Sequence, residues 1–218
     1  MPFYSVKLLA KKEVAEKTTA FFFEKPKNFK FIPGQFIELY LIKKLVHPFS
    51  IASSPKEKEL MIATRMRPSA FKNSLRKLKI GSRIKIGGPF GQFVLRKNKK
   101  IPAVFLAGGI GITPFRSMIK NYPDRKITLF NSNRKKKDAP FLEELKKLEN
   151  KNFKLISIMT RENKERINPK MLKQNIRGWQ RVIYYAVGST GFVQSMADML
   201  AKTGIKPEQT KTENFSGY

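Results

Sequence analysis

Over the first 97 residues the apolar positions fall in short aromatic and β-branched runs: FYSVKLLA, TTAFFF, QFIELYLI, HPFSIAS, ELMIATRM and SRIKIGG. Turn signals such as IPGQ, SSPKEK and IGS separate them. Short strands at this spacing predict an antiparallel barrel or sandwich. One helical stretch, SAFKNSLRKLK, interrupts them. Ser69 is placed to cap it, and Phe71, Leu75 and Leu78 share one face. From Ile101 the period changes. The runs PAVFLAG, KITLFNS, FKLISIM, RVIYYAV and TKTENF alternate with the helical patterns PFRSMIKNY, APFLEELKKLEN, PKMLKQN and GFVQSMADMLAKTG. Apolar strands with helices between them predict a doubly wound parallel sheet. The expectation is two domains, an antiparallel β-barrel over residues 1–97 and an α/β domain over 98–218, joined at RKNKK (Arg96–Lys100).

Composition narrows the chemistry. The 218 residues suit two domains of about 100 residues each. A hydrophobic content of 41% supports packed cores. There is no cysteine, which excludes disulfides, thiolate zinc and cysteine-ligated iron–sulfur clusters. A single histidine, His47, excludes a histidine-rich metal site, so no metal is expected. No stretch approaches the ~20 apolar residues of a membrane span, and MPFYSVKLLAKKE lacks the long apolar core of a secretory leader. A soluble, cytoplasmic protein is the expectation. The net charge of +29 attracts polyanions, anionic membranes or acidic proteins. Its lysines are spread along the chain, with only RKNKK and NRKKKD as dense runs, so a generally basic surface accounts for it equally well.

The stretch VFLAGGIGITPFRSM (Val104–Met118) carries the sharpest local signal. A strand ends in Gly108, Gly109 and Gly111 just before a helix, with Thr113 as the expected N-cap and Pro114 in the first turn. Glycines there let the backbone approach a ligand, and free N–H groups at the helix start favour a phosphate. In open α/β sheets this carboxyl edge is where ligands bind. A lone glycine-rich turn also serves turn geometry alone.

Five segments together resemble one family. HPFSIASSP (His47–Pro55), GGPFGQF (Gly87–Phe93), AGGIGITPF (Ala107–Phe115), VGSTGFVQSM (Val187–Met196) and ENFSGY occur in the order found in the ferredoxin–NADP reductase superfamily. The resemblance covers nearly the whole chain. It implies a flavin-binding barrel, a nicotinamide-nucleotide-binding α/β domain, FAD as cofactor, and NADPH or NADH as co-substrate. It further implies that His47, Pro48, Phe49, Ser50 and Ile51 lie along the flavin, with Phe49 against the ring and the Ser50 hydroxyl near its reactive N5. His47 stands where an arginine is commoner, which admits FMN as the alternative to FAD. Ser69, Ala70, Phe71 and Lys72, preceded by Arg65 and Arg67, match the pyrophosphate cradle.

On the nicotinamide side the resemblance places Gly108, Gly109, Gly111, Ile112, Thr113 and Pro114 against the nucleotide. Gly188 and Ser189 belong to a segment whose usual Cys-Gly-Pro core reads Val187-Gly188-Ser189 here. Ser132, Asn133 and Arg134, with Lys135, follow the second strand, where a 2′-phosphate needs positive donors; this favours NADPH. Glu213 and Phe215 match an acid and an aromatic that return to the flavin, and Tyr218 is a further candidate cover or a frayed tail. Ser50, Glu213 and Phe215 are the catalytic candidates. With no cysteines and no room for a ferredoxin domain, a separate acidic carrier such as ferredoxin or flavodoxin is the expected acceptor. The alternatives are a flavin, ferric or quinone reductase, the electron-transfer subunit of a larger dehydrogenase, and, outside enzymes, a nucleic-acid-binding module.

Overall fold

The computed structural model describes residues 2–42 and 45–215. Six strands, β1 (Phe3–Ala15), β2 (Thr18–Glu24), β3 (Phe36–Ile42), β4 (Leu45–Ser50), β5 (Glu59–Arg65) and β6 (Arg83–Phe90), form one antiparallel sheet. Their hydrogen-bonded order is β4-β3-β6-β1-β2-β5. The sheet curls into a barrel because β1 serves two neighbours in turn. Phe3–Lys7 pairs with β6, and Leu8–Ala15 pairs with β2 through two register shifts that bend the strand. Val6, Leu8, Phe21, Phe23, Ile37, Leu39 and Ile86 fill the interior. The helix α1 (Ala70–Lys77) adds Phe71 and Leu75 to that core; Ser69 caps it as the sequence predicts, its Oγ accepting from the Lys72 amide at 3.1 Å.

The second sheet is parallel throughout. β7 (Ala103–Gly108), β8 (Ile127–Asn133), β9 (Phe153–Met159), β10 (Ile183–Gly188) and β11 (Thr210–Asn214) lie in the order β11-β10-β7-β8-β9. Helices α2 (Ile112–Asn121), α3 (Leu142–Lys147), α4 (Pro169–Asn175) and α5 (Thr190–Lys202) connect them. Both faces are covered, so successive strand residues enter different cores. Phe105, Leu129, Tyr185 and Val187 pack with α2, while Val104, Leu106, Phe130 and Tyr184 pack with α4 and α5.

Strand β5 explains an oddity of pattern. Its run ELMIATR lacks the alternation of a half-exposed antiparallel strand. Leu60 and Ile62 face the barrel core, whereas Met61 and Ala63 join the apolar cluster of the parallel sheet, together with Ala20 and Ala52. The two sheets thus share one continuous apolar interface along β5.

One expectation is corrected. Thr113 does not cap α2. A 3-10 turn, Gly109–Gly111, leads straight into the helix, whose cap position is Gly111; the Thr113 hydroxyl, already inside the first turn, donates to the Ile110 carbonyl at 3.1 Å. The Ile112 amide donates to the Gly109 and Ile110 carbonyls of that turn, and no side chain caps the helix. No helix among the described residues is long and apolar enough to cross a membrane.

Candidate functional site

Two recesses lie side by side where barrel and sheet meet. The first is a cavity of about 460 Å3 lined by Phe36, Val46, His47, Pro48, Phe49, Ser50, Ala63, Lys72, Thr113, Glu213, Asn214 and Phe215. Strand β4 supplies its floor. Pairing with β3 sets Phe36 opposite Ser50, and the strand runs from exposed Val46, His47 and Pro48 to buried Phe49 and Ser50. Phe49 rests on Phe71, ring centres 5.6 Å apart, and His47 meets the same ring edge-on at 4.7 Å. A flat apolar floor beside one small hydroxyl results.

Three further groups give this cavity its electrostatics. Lys72 is buried, and burial, followed by the nearby charge of Arg67, pulls its ammonium below the usual lysine range. Glu213 on β11 is held opposite Val187 by the parallel pairing of β10 and β11. Burial pushes its carboxyl up to about 7, and its Oε2 is shut off from solvent with no hydrogen-bond partner among the described residues. A buried acceptor without a partner among the described residues calls for a donor from outside them. Thr113, from the first turn of α2, reaches the cavity from the parallel-sheet side.

The second recess is a cleft of about 210 Å3 at the carboxyl edge of the parallel sheet, lined by Arg65, Arg67, Gly108, Gly109, Ile110, Ser132, Asn133, Arg134, Asp138, Thr160, Gly188, Ser189, Phe192 and Phe215. Its glycines have different duties. Gly109 adopts φ +57°, and a Cβ there would meet nothing within 4 Å, so its backbone opens on the cleft. A Cβ on Gly111 would run into the carbonyl oxygen of Val187; that glycine lets α2 start hard against β10. Ser189 caps α5, its Oγ accepting from the Phe192 amide at 3.4 Å.

Phe215 lines both recesses and is fixed by its amide, which donates to the Gly188 carbonyl at 2.9 Å. Among the sequence candidates, His47, Pro48, Phe49, Ser50, Lys72, Thr113, Glu213 and Phe215 converge on the cavity. Gly108, Gly109, Ser132, Asn133, Arg134, Gly188 and Ser189 converge on the cleft. Others lie apart. Ile51 and Phe71 are barrel core, and Ile112 and Pro114 are buried within α2. Ser69 and Ala70 are exposed at the start of α1, where the cap has already used the Lys72 amide. Arg65, expected near the α1 cradle, sits instead in the cleft and pairs with Asp138 at 3.2 Å. Lys135 lines a separate groove of about 900 Å3, between β1 and α3, that holds none of the cavity residues. Tyr218 lies outside the described residues. Sequence reasoning missed Phe36, Asp138 and Thr160, which reach the recesses through tertiary structure, and also Phe192, which lies inside the VGSTGFVQSM segment but was not singled out.

An apolar-floored cavity and a glycine-edged cleft with a shared aromatic wall define the class: a protein that brings a flavin and a nicotinamide nucleotide together. Comparison with known proteins agrees. A model of an FAD-binding domain matches residues 3–109, and one of an oxidoreductase NAD-binding domain matches residues 105–198. Flavohemoprotein A of Dictyostelium discoideum is 26% identical over 94% of this chain and 58% of its own length. A probable dihydroorotate dehydrogenase B (NAD(+)) electron transfer subunit of Thermococcus kodakarensis is 33% identical over 60% of this chain and 53% of its own. The chain therefore spans little more than half the length of these curated relatives. Among solved structures, a ferredoxin NADP+ reductase from Neisseria gonorrhoeae with bound FAD and NADP superposes with a TM-score of 0.83 at 20% identity, covering 97% of this chain and 98% of that one. The flavohemoglobin from Malassezia yamatoensis with bound FAD and heme also gives 0.83, at 22% identity over 99% of this chain and 61% of its own. The chain belongs to the ferredoxin–NADP reductase superfamily. Its two modules are those of an FAD- and NAD(P)-binding oxidoreductase.

Proposed function

We propose that this chain draws reducing equivalents from NADPH and delivers them, through FAD, to a separate acidic electron carrier. The observation that carries this reading is Phe215: one aromatic side chain walls both the apolar cavity and the nucleotide cleft, so two flat rings seated there meet at its position. Bound FAD supplies the chemistry, accepting a hydride and releasing electrons onward. The chain's own residues do the rest. Phe49 gives the ring a stacking floor. The Ser50 hydroxyl directs a hydrogen bond at the reacting edge without blocking it. Glu213, with its carboxyl near neutrality, holds or gives up a proton at Oε2 as pH crosses about 7. Lys72 lines the cavity towards the start of α1, where the Ala70 and Phe71 amides, outside the cavity itself, would receive flavin phosphates that extend beyond it. Gly108, Gly109, Gly188 and Ser189 present main chain to the nucleotide pyrophosphate. Ser132, Asn133 and Arg134 receive the ribose end, with Phe215 moving aside as the nicotinamide enters. We also draw the domain change at residues 97 and 98.

NADPH is favoured over NADH because Arg65, Arg67 and Arg134 all line the cleft, and guanidinium groups match phosphate geometry. An acidic carrier is favoured because the chain carries +29 and because Val46, His47 and Pro48 leave the flavin cavity exposed at its mouth. Anaerobic stopped-flow tests both points. NADPH should bleach the bound flavin faster than NADH does. Reoxidation by ferredoxin or flavodoxin should slow steeply with added salt; a salt-independent reoxidation would assign a neutral acceptor instead, and a colourless protein that never binds FAD would end the proposal.

A further inference from the structure

Arg116, in the middle of α2, is the most heavily bonded side chain among the described residues that the proposed chemistry leaves unused. Its side chain is 6% exposed, in the mostly apolar stretch PFRSMI. All five N–H groups of its guanidinium are engaged. Nη1 donates to the Ala52 carbonyl at 2.8 Å and to Glu57 at 3.0 Å; Nη2 donates to Glu57 at 3.0 Å and Glu144 at 2.6 Å; Nε donates to Glu144 at 2.7 Å. Lys120, one turn along α2, bonds both carboxylates at 2.8 Å. The neighbouring Ser117 hydroxyl donates to the Ser53 carbonyl at 2.6 Å.

The attachment points matter more than the number of bonds. Ala52 and Ser53 lie two and three residues past Ser50, at the end of the proposed flavin strand, and Ala52 is tied in turn to Met61 of β5 by its amide at 2.8 Å. Arg116 lies one turn beyond Thr113, on the helix that the glycine turn leads into. The cluster therefore joins the two platforms within a few residues of where each holds its ring. A buried ion cluster adds little net stability, since desolvation offsets attraction, so its geometric specificity is the more informative property. Hydride transfer needs its reacting atoms about 3–3.5 Å apart, and a displacement of about 1 Å costs about 100-fold in rate.

We propose that Arg116 is a positioning residue for hydride transfer: its saturated guanidinium sets the angle between the nucleotide-binding turn of α2 and the flavin strand β4, and so the contact of the two rings. This rests on the function proposed above. A residue that merely glued the halves together would lower stability and weaken every step alike.

The test compares the wild-type holoprotein with Arg116→Met, Arg116→Lys and Glu57→Gln. In Arg116→Met, flavin reduction at saturating NADPH should fall by about 10- to 100-fold. The long-wavelength flavin–nicotinamide charge-transfer absorbance should weaken, while nucleotide Kd stays within about threefold, because binding and ring alignment are separate terms. Arg116→Lys, keeping the charge but losing the planar fork, should fall between. In the flavin-free protein, hydrogen exchange should accelerate in residues 51–57 and 112–118 and stay unchanged in the rest of the barrel. If Arg116→Met does not fold, Glu57→Gln carries the same comparison with a smaller loss. Wild-type reduction rate, charge-transfer absorbance and exchange in the variants would overturn the positioning role. A wild-type protein that neither NADPH nor NADH reduces would instead overturn the function on which it rests.

Discussion

The cavity proposed for the flavin and the cleft proposed for the nucleotide meet at Phe215 but are built from different materials. Side chains make the cavity: Phe49 as floor, Ser50 as hydroxyl, Lys72 and Glu213 as buried ionisable groups. Main chain makes much of the cleft, through the turns at Gly108–Gly109 and Gly188–Ser189, with arginines around it. A heterocycle whose electronic state changes during reaction is served by groups whose protonation and hydrogen bonding can be tuned. A pyrophosphate that only has to be held is served by N–H groups and fixed positive charge. Truncating a side chain should therefore damage chemistry in the first region, while altering a glycine should damage folding or affinity in the second.

The largest effect should come from the cleft's own packing. Gly111→Ala drives a methyl group into the Val187 carbonyl and should cost about 3 kcal/mol or more in urea unfolding, whereas Gly109→Ala, strained only by its positive φ, should cost about 1–2 kcal/mol. Equal losses would remove the distinction drawn between the two glycines. In the cavity, Ser50→Ala should slow flavin reduction by about 100-fold while FAD affinity changes far less; a matched loss of both would make Ser50 a binding residue only. Glu213→Gln sharpens the comparison through pH. The carboxyl stands at about 7 in the folded chain against 4.5 in the unfolded one, so the folded state holds the proton more tightly. Stability from this group should fall as pH rises from 4.5 towards 7, and the glutamine variant should lack that fall when melting temperatures are compared across the range. The pH profile of flavin reduction should also flatten near neutrality in the variant.

Smaller effects belong to the charged rim of the cleft. Arg134→Ala should raise KM for NADPH by about 10-fold and leave NADH unchanged, since one charge-assisted contact to the 2′-phosphate is lost. Equal effects on both nucleotides would remove Arg134 from that phosphate. Asp138→Asn, which frees Arg65 from its partner in the cleft, should tighten NADPH binding by about 2- to 3-fold in a low-salt titration. Weaker binding would mean that the pair is needed to hold Arg65 in place.

What the sequence revealed follows the range of each signal. Strands and helices were legible because hydrophobic period is local, and the carboxyl edge of β7 followed from its glycines. Strand β1 proved longer than its apolar run because Lys12 and Glu13, exposed on the bent outer part, pair with β2 through main chain alone. Thr113 was misread as a cap because a 3-10 entry brings the helix start forward to Ile112, so that Thr113 already lies inside the first turn and its hydroxyl donates back to Ile110. That Arg65 lines the cleft was not legible, because the partner that holds it there, Asp138, stands 73 residues away. Arg116 is the clearest case. Its partners lie 59 and 28 residues distant, and the one local hint was a charge inside an apolar helical run.

If two rings meet at Phe215, a crystal structure of the protein with FAD and a non-reducible NADPH analogue will show them there. The isoalloxazine should lie on Phe49 and Ser50, the pyrophosphate of the nucleotide along Gly108–Gly109, and Phe215 should be displaced from between the two rings. A flavin seated instead in the larger groove beside Lys135–Lys137, or a nucleotide bound away from the glycine turn, would contradict this arrangement.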